Sequence, residues 1–118
     1  MSSISLAVVG SRTFTNYELL KDTLTKICQD MHVKQIVSGG AIGADSLARR
    51  FAIENHIPIL ELKPDWKKFG KAAGMLRNTD IIKQSDIVVA FWDHVSPGTR
   101  DSINKAKQMG KQCHVVKF

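Results

Sequence analysis

Five short apolar runs alternate with helical patterns along the whole chain, and this alternation is the strongest constraint on the fold. The runs are the expected strands, at residues 4–9, 35–38, 58–62, 87–91 and 112–116. The first and fourth contain few polar residues, which is typical of strands that are covered on both faces. These two strands are therefore expected to lie inside the sheet, with both faces covered.

Strands joined through helices form a parallel sheet, because each right-handed crossover carries the chain back over one face. The chain is therefore predicted to adopt an α/β fold, a Rossmann-like three-layer α/β/α sandwich. Its five-stranded parallel sheet is expected in the order 3-2-1-4-5. A length of 118 residues suits one domain, 1–118, that buries roughly two thirds of its unfolded-chain surface.

The helices are expected to begin and end at recognisable signals. Thr15 to Glu18 matches a capping box that opens the first helix. Thr99 is expected to cap the last helix, which Gly110 ends as a left-handed residue. Two further helices are expected at 44–55 and 71–84, with residues 63–70 as a loop.

The charge balance suits an anionic ligand. The net charge is +6, from 17 basic against 11 acidic residues, which favours a nucleotide or a nucleic-acid backbone. The lysines are scattered, however, so solvated faces explain most of them. No apolar run is long enough to span a bilayer, and residues 1–4 lack the basic and apolar parts of a signal peptide, so we expect a cytoplasmic location and no membrane partner.

Two cysteines, Cys28 and Cys113, lie far apart in the sequence. We expect them to be buried free thiols. The pairs that each forms with a nearby histidine do not have the spacing of a zinc site, so we expect no metal and no cofactor.

Glycines and polar side chains follow four of the five predicted strands. The carboxyl ends of parallel strands meet at one edge of a sheet, where ligands bind. We therefore predict one ligand site on this rim. Its candidates are Gly10, Ser11 and Arg12 after the first strand; Ser38, Gly39, Gly40, Gly43 and Asp45 after the second; Asp65 and Trp66 after the third; and Trp92, Asp93, Ser96, Gly98 and Thr99 after the fourth.

The stretch from Ser38 to Asp45 is a glycine-rich turn from a strand into a helix. Such a turn favours an anion such as phosphate, because unpaired N–H groups and the helix dipole point at it. A tight connection without a ligand fits the same residues. The turn lacks the lysine of a Walker loop and the G-x-G-x-x-G of dinucleotide folds. Asp45 either complements the helix dipole or accepts ribose hydroxyls, since a carboxylate would repel phosphate.

Ser96 to Thr99 forms a second glycine turn into a helix, and hence a second candidate for an anion. Ser11 and Arg12 would project over the rim, where a guanidinium matches phosphate geometry. Each of these residues is also compatible with a plain connection or a surface position.

Arg77 and Asn78 lie on the helix that precedes the fourth strand, where spacing alone predicts surface residues. Trp66 and Trp92 are the only two tryptophans, and both follow a predicted strand. A flat indole ring there could stack on a base, although packing at the rim explains either one equally well.

Four motifs, taken in order, resemble the small stand-alone SLOG domains of the YspA/YpsA-related type. They are Gly10-Ser11-Arg12; Ser38-Gly39-Gly40-Ala41-x-Gly43-Ala44-Asp45; Asp65-Trp66-x-x-x-Gly70-x-x-Ala73-Gly74-x-x-Arg77-Asn78; and Ala90-Phe91-Trp92-Asp93-x-x-Ser96-x-Gly98-Thr99. The resemblance covers residues 4–116 and implies a nucleotide-binding Rossmann-like domain that forms a homo-oligomer. The superfamily also includes the Lonely Guy phosphoribohydrolases and the single-strand-DNA-binding DNA-processing protein A.

The Lonely Guy pattern has an arginine before the fourth strand and a P-G-G-x-G-T-x-x-E motif after it. Arg77 matches the arginine, and Ser96 to Thr99 matches the glycine turn in shortened form. The glutamate position is occupied by Ser102, with Asp101 one residue before it. A shift of one residue turns a helical side chain by roughly 100°, so the carboxylate of that motif has no direct match.

Three functions follow as hypotheses. The first is binding of a nucleotide-like ligand by a sensor or sequestering protein, with phosphate on the 39–43 and 98–99 turns and Arg12 and Arg77 as clamps. The second is a phosphoribohydrolase-like enzyme. Its candidate catalytic residues are Arg77 with a carboxylate from Asp45, Asp93 or Asp101. The third is single-stranded nucleic-acid binding, which the net charge favours.

Overall fold

The computed structural model describes residues 3–118, so Met1 and Ser2 of the expected domain lie outside the described residues. Five parallel strands form one sheet in the order β3-β2-β1-β4-β5, which confirms the predicted fold class and strand order. The strands are β1 (Ser3–Gly10), β2 (His32–Ser38), β3 (Ile59–Glu61), β4 (Ile87–Trp92) and β5 (Gln112–Lys117). β2 begins three residues earlier than expected, and β3 is shorter.

Helices cover both faces of this sheet. They are α1 (Tyr17–Asp30), α2 (Ala44–Glu54), α3 (Trp66–Phe69), α4 (Ala73–Lys83) and α5 (Pro97–Gln108), with a 3₁₀ turn at Gly70–Ala72. No helix within residues 3–118 is both long enough and apolar enough to cross a membrane.

Alternate residues of β1 point into two separate cores. Leu6 and Val8 pack with the buried side chains of α1 and α2, whereas Ala7 and Val9 pack with those of α4 and α5. Side chains of successive strand residues lie on opposite faces, so a strand buried on both faces has to be apolar throughout. This is why β1 is apolar at every position from Leu6 to Val9.

Two helices have a different cap residue from the one predicted. The cap of α1 is Asn16, whose Oδ1 accepts the N–H of Leu19 at 3.1 Å, and not Thr15. The cap position of α5 is Ser96, with Pro97 as the first helical residue, so Thr99 lies inside the first turn. Proline is well suited to that first position because its fixed φ is helical and its missing N–H would have no partner there.

The segment 63–70, predicted as a loop, contains the one-turn helix α3. Asp65 caps this helix by accepting the N–H of Lys68 at 3.1 Å. The helix α4 begins at Ala73 rather than at Lys71, because residues 70–72 form the 3₁₀ turn. The expected left-handed end of α5 is present, with Gly110 at φ +70°.

Cys28 and Cys113 are free, as expected. Each is only partly buried rather than enclosed in the core. Burial raises the pKa of both thiols above the ordinary value. Neither residue lines the cavities described below.

Gly43 lets the connection after β2 cross closely over the connection after β1. It has φ +81°, and a Cβ at this position would lie 2.5 Å from the carbonyl oxygen of Ser11 and 2.6 Å from Cα of Arg12. Both neighbours are backbone atoms that cannot turn aside. The glycine therefore brings the turn before α2 against the Ser11–Arg12 loop at the sheet edge.

We expect Gly43→Ala to lower the free energy of unfolding by about 3 kcal/mol or more, because it combines an unfavourable φ with backbone overlap. Gly110→Ala is the matched control. Its φ is also positive, but a Cβ there has no neighbour within 4 Å, so only a strain of about 1 kcal/mol is expected. Urea unfolding measures the free energy of unfolding of both variants. Equal losses of stability would show that the backbone crossing at Gly43 is not the cause.

Candidate functional site

Two adjoining cavities open at the carboxyl ends of the strands, where the rim was predicted. The inner cavity has a volume of about 380 Å³ and the outer one about 570 Å³. Both lie within the range of roughly 300–1,000 Å³ that is usual for small-molecule sites. The structure therefore has room for a ligand at the predicted edge of the sheet.

Most of the predicted residues come together around these cavities. The inner cavity is lined by Gly10, Ser11, Arg12, Asp45, Arg77, Asn78, Ser96, Gly98 and Thr99. The outer cavity is lined by Gly39, Gly40 and Trp66 and shares Arg12, Arg77, Asn78 and Gly98 with the inner one. The two cavities thus have a common wall formed by both candidate arginines.

Six predicted residues line neither cavity: Ser38, Gly43, Asp65, Trp92, Asp93 and Asp101. Ser38 is fully buried, and its hydroxyl accepts the N–H of Gly40 at 3.4 Å. The Trp92 indole donates to the carbonyl of Ser96 at 3.1 Å and stacks on His94 at 4.5 Å between ring centroids. Its ring is therefore engaged in holding the turn before α5.

Asp45 is the buried acidic group of the inner cavity, with 7% of its surface exposed. Its Oδ2 accepts the N–H of Ala41 at 3.1 Å. Burial raises the pKa of Asp45 to about 6, and hydrogen bonds from the Ala41 and Gly39 amides and the nearby Arg77 oppose that rise. The N–H groups of the glycine turn that would bind an external anion therefore already donate to the carboxylate of Asp45.

Arg77 reaches from α4 to the same turn. Its Nη1 donates to the carbonyl of Gly39 at 3.0 Å, and its Nε donates to Asn78 Oδ1 at 3.2 Å. A Cβ at Gly39 would overlap this guanidinium, so only glycine allows the approach. Burial lowers the pKa of Arg77, and Asp45 opposes that shift. Three of its five N–H donors make no hydrogen bond with residues 3–118 and are available at the common wall.

The first turn of α5 forms the opposite wall of the inner cavity. The N–H groups of Gly98 and Thr99 lie in the part of a helix that has no intrahelical acceptors. Thr99 is 5% exposed, lines the cavity and makes no side-chain hydrogen bond with any described residue. Asn78 Nδ2 donates to the carbonyl of Gly98 at 3.2 Å and so fixes this turn against α4.

Asp93 organises the approach to the same turn. Its Oδ1 accepts the N–H groups of Ser96 at 2.7 Å and Val95 at 2.9 Å. These hydrogen bonds, with that of Ser96 first, lower the pKa of Asp93 to about 2. Asp93 is thus a structural acceptor that positions Ser96 and the start of α5.

Asp101 faces away from the inner cavity. It accepts from Asn78 Nδ2 at 3.2 Å and forms an ion pair with Lys105 at 2.8 Å. Ser102 lines the cavity at the next position and donates to the carbonyl of Gly98 at 3.4 Å. Of the three candidate carboxylates, only Asp45 lines the inner cavity.

Sequence reasoning missed part of the outer cavity. Lys63, Lys71 and Gly74 line it, although the lysines were interpreted as members of solvated faces. Their separation along the chain gives no periodic signal, and α3 with its 3₁₀ turn is what brings them to one opening. The position of Gly74 inside a helical pattern was the one available hint, since glycine weakens a helix interior.

The chain is similar in sequence to a described family and to a phage protein. A sequence model of the family described as YAcAr, the YspA, cpYpsA-related SLOG family, matches residues 4–69. The chain is also 32% identical over 111 residues to the Gene 61 protein of Mycobacterium phage D29, covering 87% of this chain and 88% of that protein.

Two solved structures of DNA processing protein A are similar in fold. The protein from Helicobacter pylori matches with a TM-score of 0.73 and 23% identity, covering 95% of this chain and 64% of its own. The protein from Streptococcus pneumoniae matches with a TM-score of 0.79 and 18% identity, covering 97% and 50%. The chain thus spans about half to two thirds of the length of these two proteins.

The raised pKa of Asp45 makes stability depend on pH. The carboxyl of the unfolded chain ionises near its ordinary pKa of 3.8, before the folded one at about 6, so wild type loses stability over this interval as pH rises. Relative to Asp45→Asn, which cannot ionise, wild type should lose about 2–3 kcal/mol between about pH 4 and pH 7. Urea unfolding of both proteins at the two pH values checks this. If the difference in stability between wild type and Asp45→Asn is the same at both pH values, burial does not raise the pKa of Asp45.

Proposed function

The chain belongs to the YspA, cpYpsA-related SLOG family, and from that premise we propose that it binds a nucleotide or nucleotide-derived ligand in the inner cavity. The observation that carries the proposal is the first turn of α5, where Thr99, a largely buried residue, and two N–H groups without intrahelical acceptors line the cavity. Arg12 lines the same space and forms no hydrogen bond or ion pair with residues 3–118. Such a cluster of donors is suited to phosphate.

The phosphate is assigned to the α5 turn rather than to both glycine turns. Asp45 already accepts the Ala41 N–H within the first turn, and its charge would repel a phosphate placed beside it. At the start of α5, Asp93 accepts the N–H groups of Val95 and Ser96, and no described carboxylate accepts those of Gly98 and Thr99. A Cβ at Gly98 would meet nothing within 4 Å, so the backbone there is open to a ligand.

Asp45 is assigned to the sugar of the ligand. A carboxylate has about four acceptor positions, and the hydrogen bonds from the glycine turn leave capacity for hydroxyl donors. Arg77 lies beside it and partly balances its charge. A ribose with its hydroxyls toward Asp45 and its phosphate toward Thr99 uses both walls of the cavity.

Binding is favoured over hydrolysis by the placement of the carboxylates. Asp101 is paired with Lys105, Asp93 is occupied by the amides of the turn, and Ser102 stands where the Lonely Guy motif has glutamate. A phosphoribohydrolase would have to rely on Asp45 alone. We therefore propose a cytoplasmic sensor or ligand-sequestering protein that acts as a homo-oligomer, as the family resemblance implies.

Single-stranded nucleic-acid binding is the second candidate. The DNA processing protein A from Helicobacter pylori has a single-stranded DNA binding mode. In this chain, Trp66 and Phe69 are exposed beside Lys67, Lys68 and Lys71. Exposed aromatic rings among cations are typical of surfaces that stack bases and contact phosphates.

Removal of the phosphate donors should weaken nucleotide binding. We expect Arg12→Ala to reduce affinity for a nucleoside monophosphate by about 10- to 100-fold, since a hydrogen bond to a charged group contributes about 1.5–3 kcal/mol. Thr99→Val keeps the shape of the side chain and should cost about fivefold or more. Titration calorimetry measures both.

Arg100→Ala is the control, because it removes the same charge from α5, where Arg100 lies over the Trp92 ring and outside both cavities. We expect its affinity to equal that of wild type. Absence of binding by any nucleoside monophosphate, or an equal loss in Arg100→Ala, would contradict the assignment.

Fluorescence anisotropy with a single-stranded oligonucleotide separates the second candidate. Tight binding that falls steeply with salt, and that Lys67→Ala and Lys68→Ala weaken, is expected only if the exposed lysines contact phosphates. Lys21→Ala, which removes an exposed lysine from α1 instead, tests for a general effect of charge. Absence of binding at low salt would exclude this function for the described surface.

A further inference from the structure

The outer cavity is a second compartment that the proposed phosphate and sugar contacts leave unused. Its volume of about 570 Å³ exceeds that of the inner cavity, about 380 Å³. The two cavities adjoin at Arg12 and Arg77, which line both. A ligand that extends past these arginines therefore enters the outer cavity.

Trp66 presents a large apolar surface inside this second compartment. It is 56% exposed and lines the outer cavity, and its indole lies over Gly74 of α4, whose absent Cβ would be 3.7 Å from the ring. Glycine weakens a helix interior relative to alanine, and φ at Gly74 is not positive. Gly74 therefore leaves space beside the Trp66 ring, which a larger side chain at position 74 would fill.

Two cations flank the same opening. Lys63 and Lys71 line the outer cavity, and neither forms a salt bridge with any residue from 3 to 118. The nearby carboxylate of Glu61 is held by Arg49 through both of its oxygens at 2.6 and 2.7 Å. The positive charge of the two lysines is therefore available to an anionic group in the cavity.

We propose that the outer cavity binds a second nucleotide unit, with its base on Trp66 and its phosphate between Lys63 and Lys71. The natural ligand then contains at least two nucleotide units rather than one. This inference rests on the proposed function, because the first unit occupies the inner cavity. The second unit can belong to a pyrophosphate-linked dinucleotide, to a phosphodiester-linked dinucleotide or to the end of a single strand, which share the same chemistry.

The test compares four probes by titration calorimetry: adenosine monophosphate, diadenosine pyrophosphate, the 5′-phosphorylated dinucleotide pApA and a 5′-phosphorylated oligoadenylate. At least one two-unit probe should bind about tenfold or more tightly than the monophosphate, as expected for one stacked base. A preference for diadenosine pyrophosphate identifies a free dinucleotide. A preference that grows from pApA to the oligomer identifies the end of a strand.

Three variants test whether the outer cavity causes the higher affinity for two-unit probes. Trp66→Ala and the double variant Lys63→Ala/Lys71→Ala should remove the advantage of the two-unit probe and leave the affinity for the monophosphate unchanged. Gly74→Leu should do the same by filling the cavity, and because leucine is the better helix former this variant is expected to fold. Lys21→Ala is the control, since it removes one exposed charge from α1, outside both cavities.

The outcomes separate this inference from the proposed function. Monophosphate binding without any gain for the two-unit probes, or an equal loss of monophosphate affinity in Trp66→Ala, would overturn the second compartment alone. If no probe binds, both proposals fall. A gain in affinity for two-unit probes that Trp66→Ala removes, together with binding that Arg12→Ala weakens, supports both.

Discussion

The close crossing of two backbone segments at the sheet edge is the constraint on which the site depends. Gly43 lies against the backbone of Ser11 and Arg12, and the N–H of Ala44 donates to the carbonyl of Ser11 at 3.4 Å. This contact joins the connections that follow β1 and β2. Because both segments are fixed by adjacent parallel strands, the crossing holds Arg12 and the start of α2 at one wall of the inner cavity.

A buried carboxylate then determines how the glycine turn can be used. Asp45 is the second residue of α2, and its carboxylate accepts the N–H of Ala41. Arg77 donates to the carbonyl of Gly39 in the same turn. The glycine turn is therefore bound by the carboxylate of Asp45 and by the guanidinium of Arg77. In the proposed binding mode the phosphate therefore contacts the first turn of α5, where Thr99 lines the cavity. The two glycine turns, similar in sequence, consequently have different chemistry.

The fold could be predicted because its signals are local. An apolar run such as 87–91 is buried on both faces, and Gly110 ends α5 as a left-handed residue in the way its position indicates. The helix starts were less predictable, since Thr15 and Asn16 are both good caps and only packing of Tyr17 and its neighbours decides between them. The segment 63–70 was missed because a one-turn helix has no hydrophobic periodicity.

The sequence by itself determined the strand order and which residues follow the strands, because alternation and right-handed crossovers leave few alternatives. Only the tertiary structure decided what those residues face. Trp66 and Trp92 were equivalent in the sequence, yet one opens into a cavity and the other is held by the carbonyl of Ser96. The hydrogen bonds of Asp45 depend on how α2, α4 and the glycine turn pack together. A local sequence pattern cannot encode contacts among three separate segments.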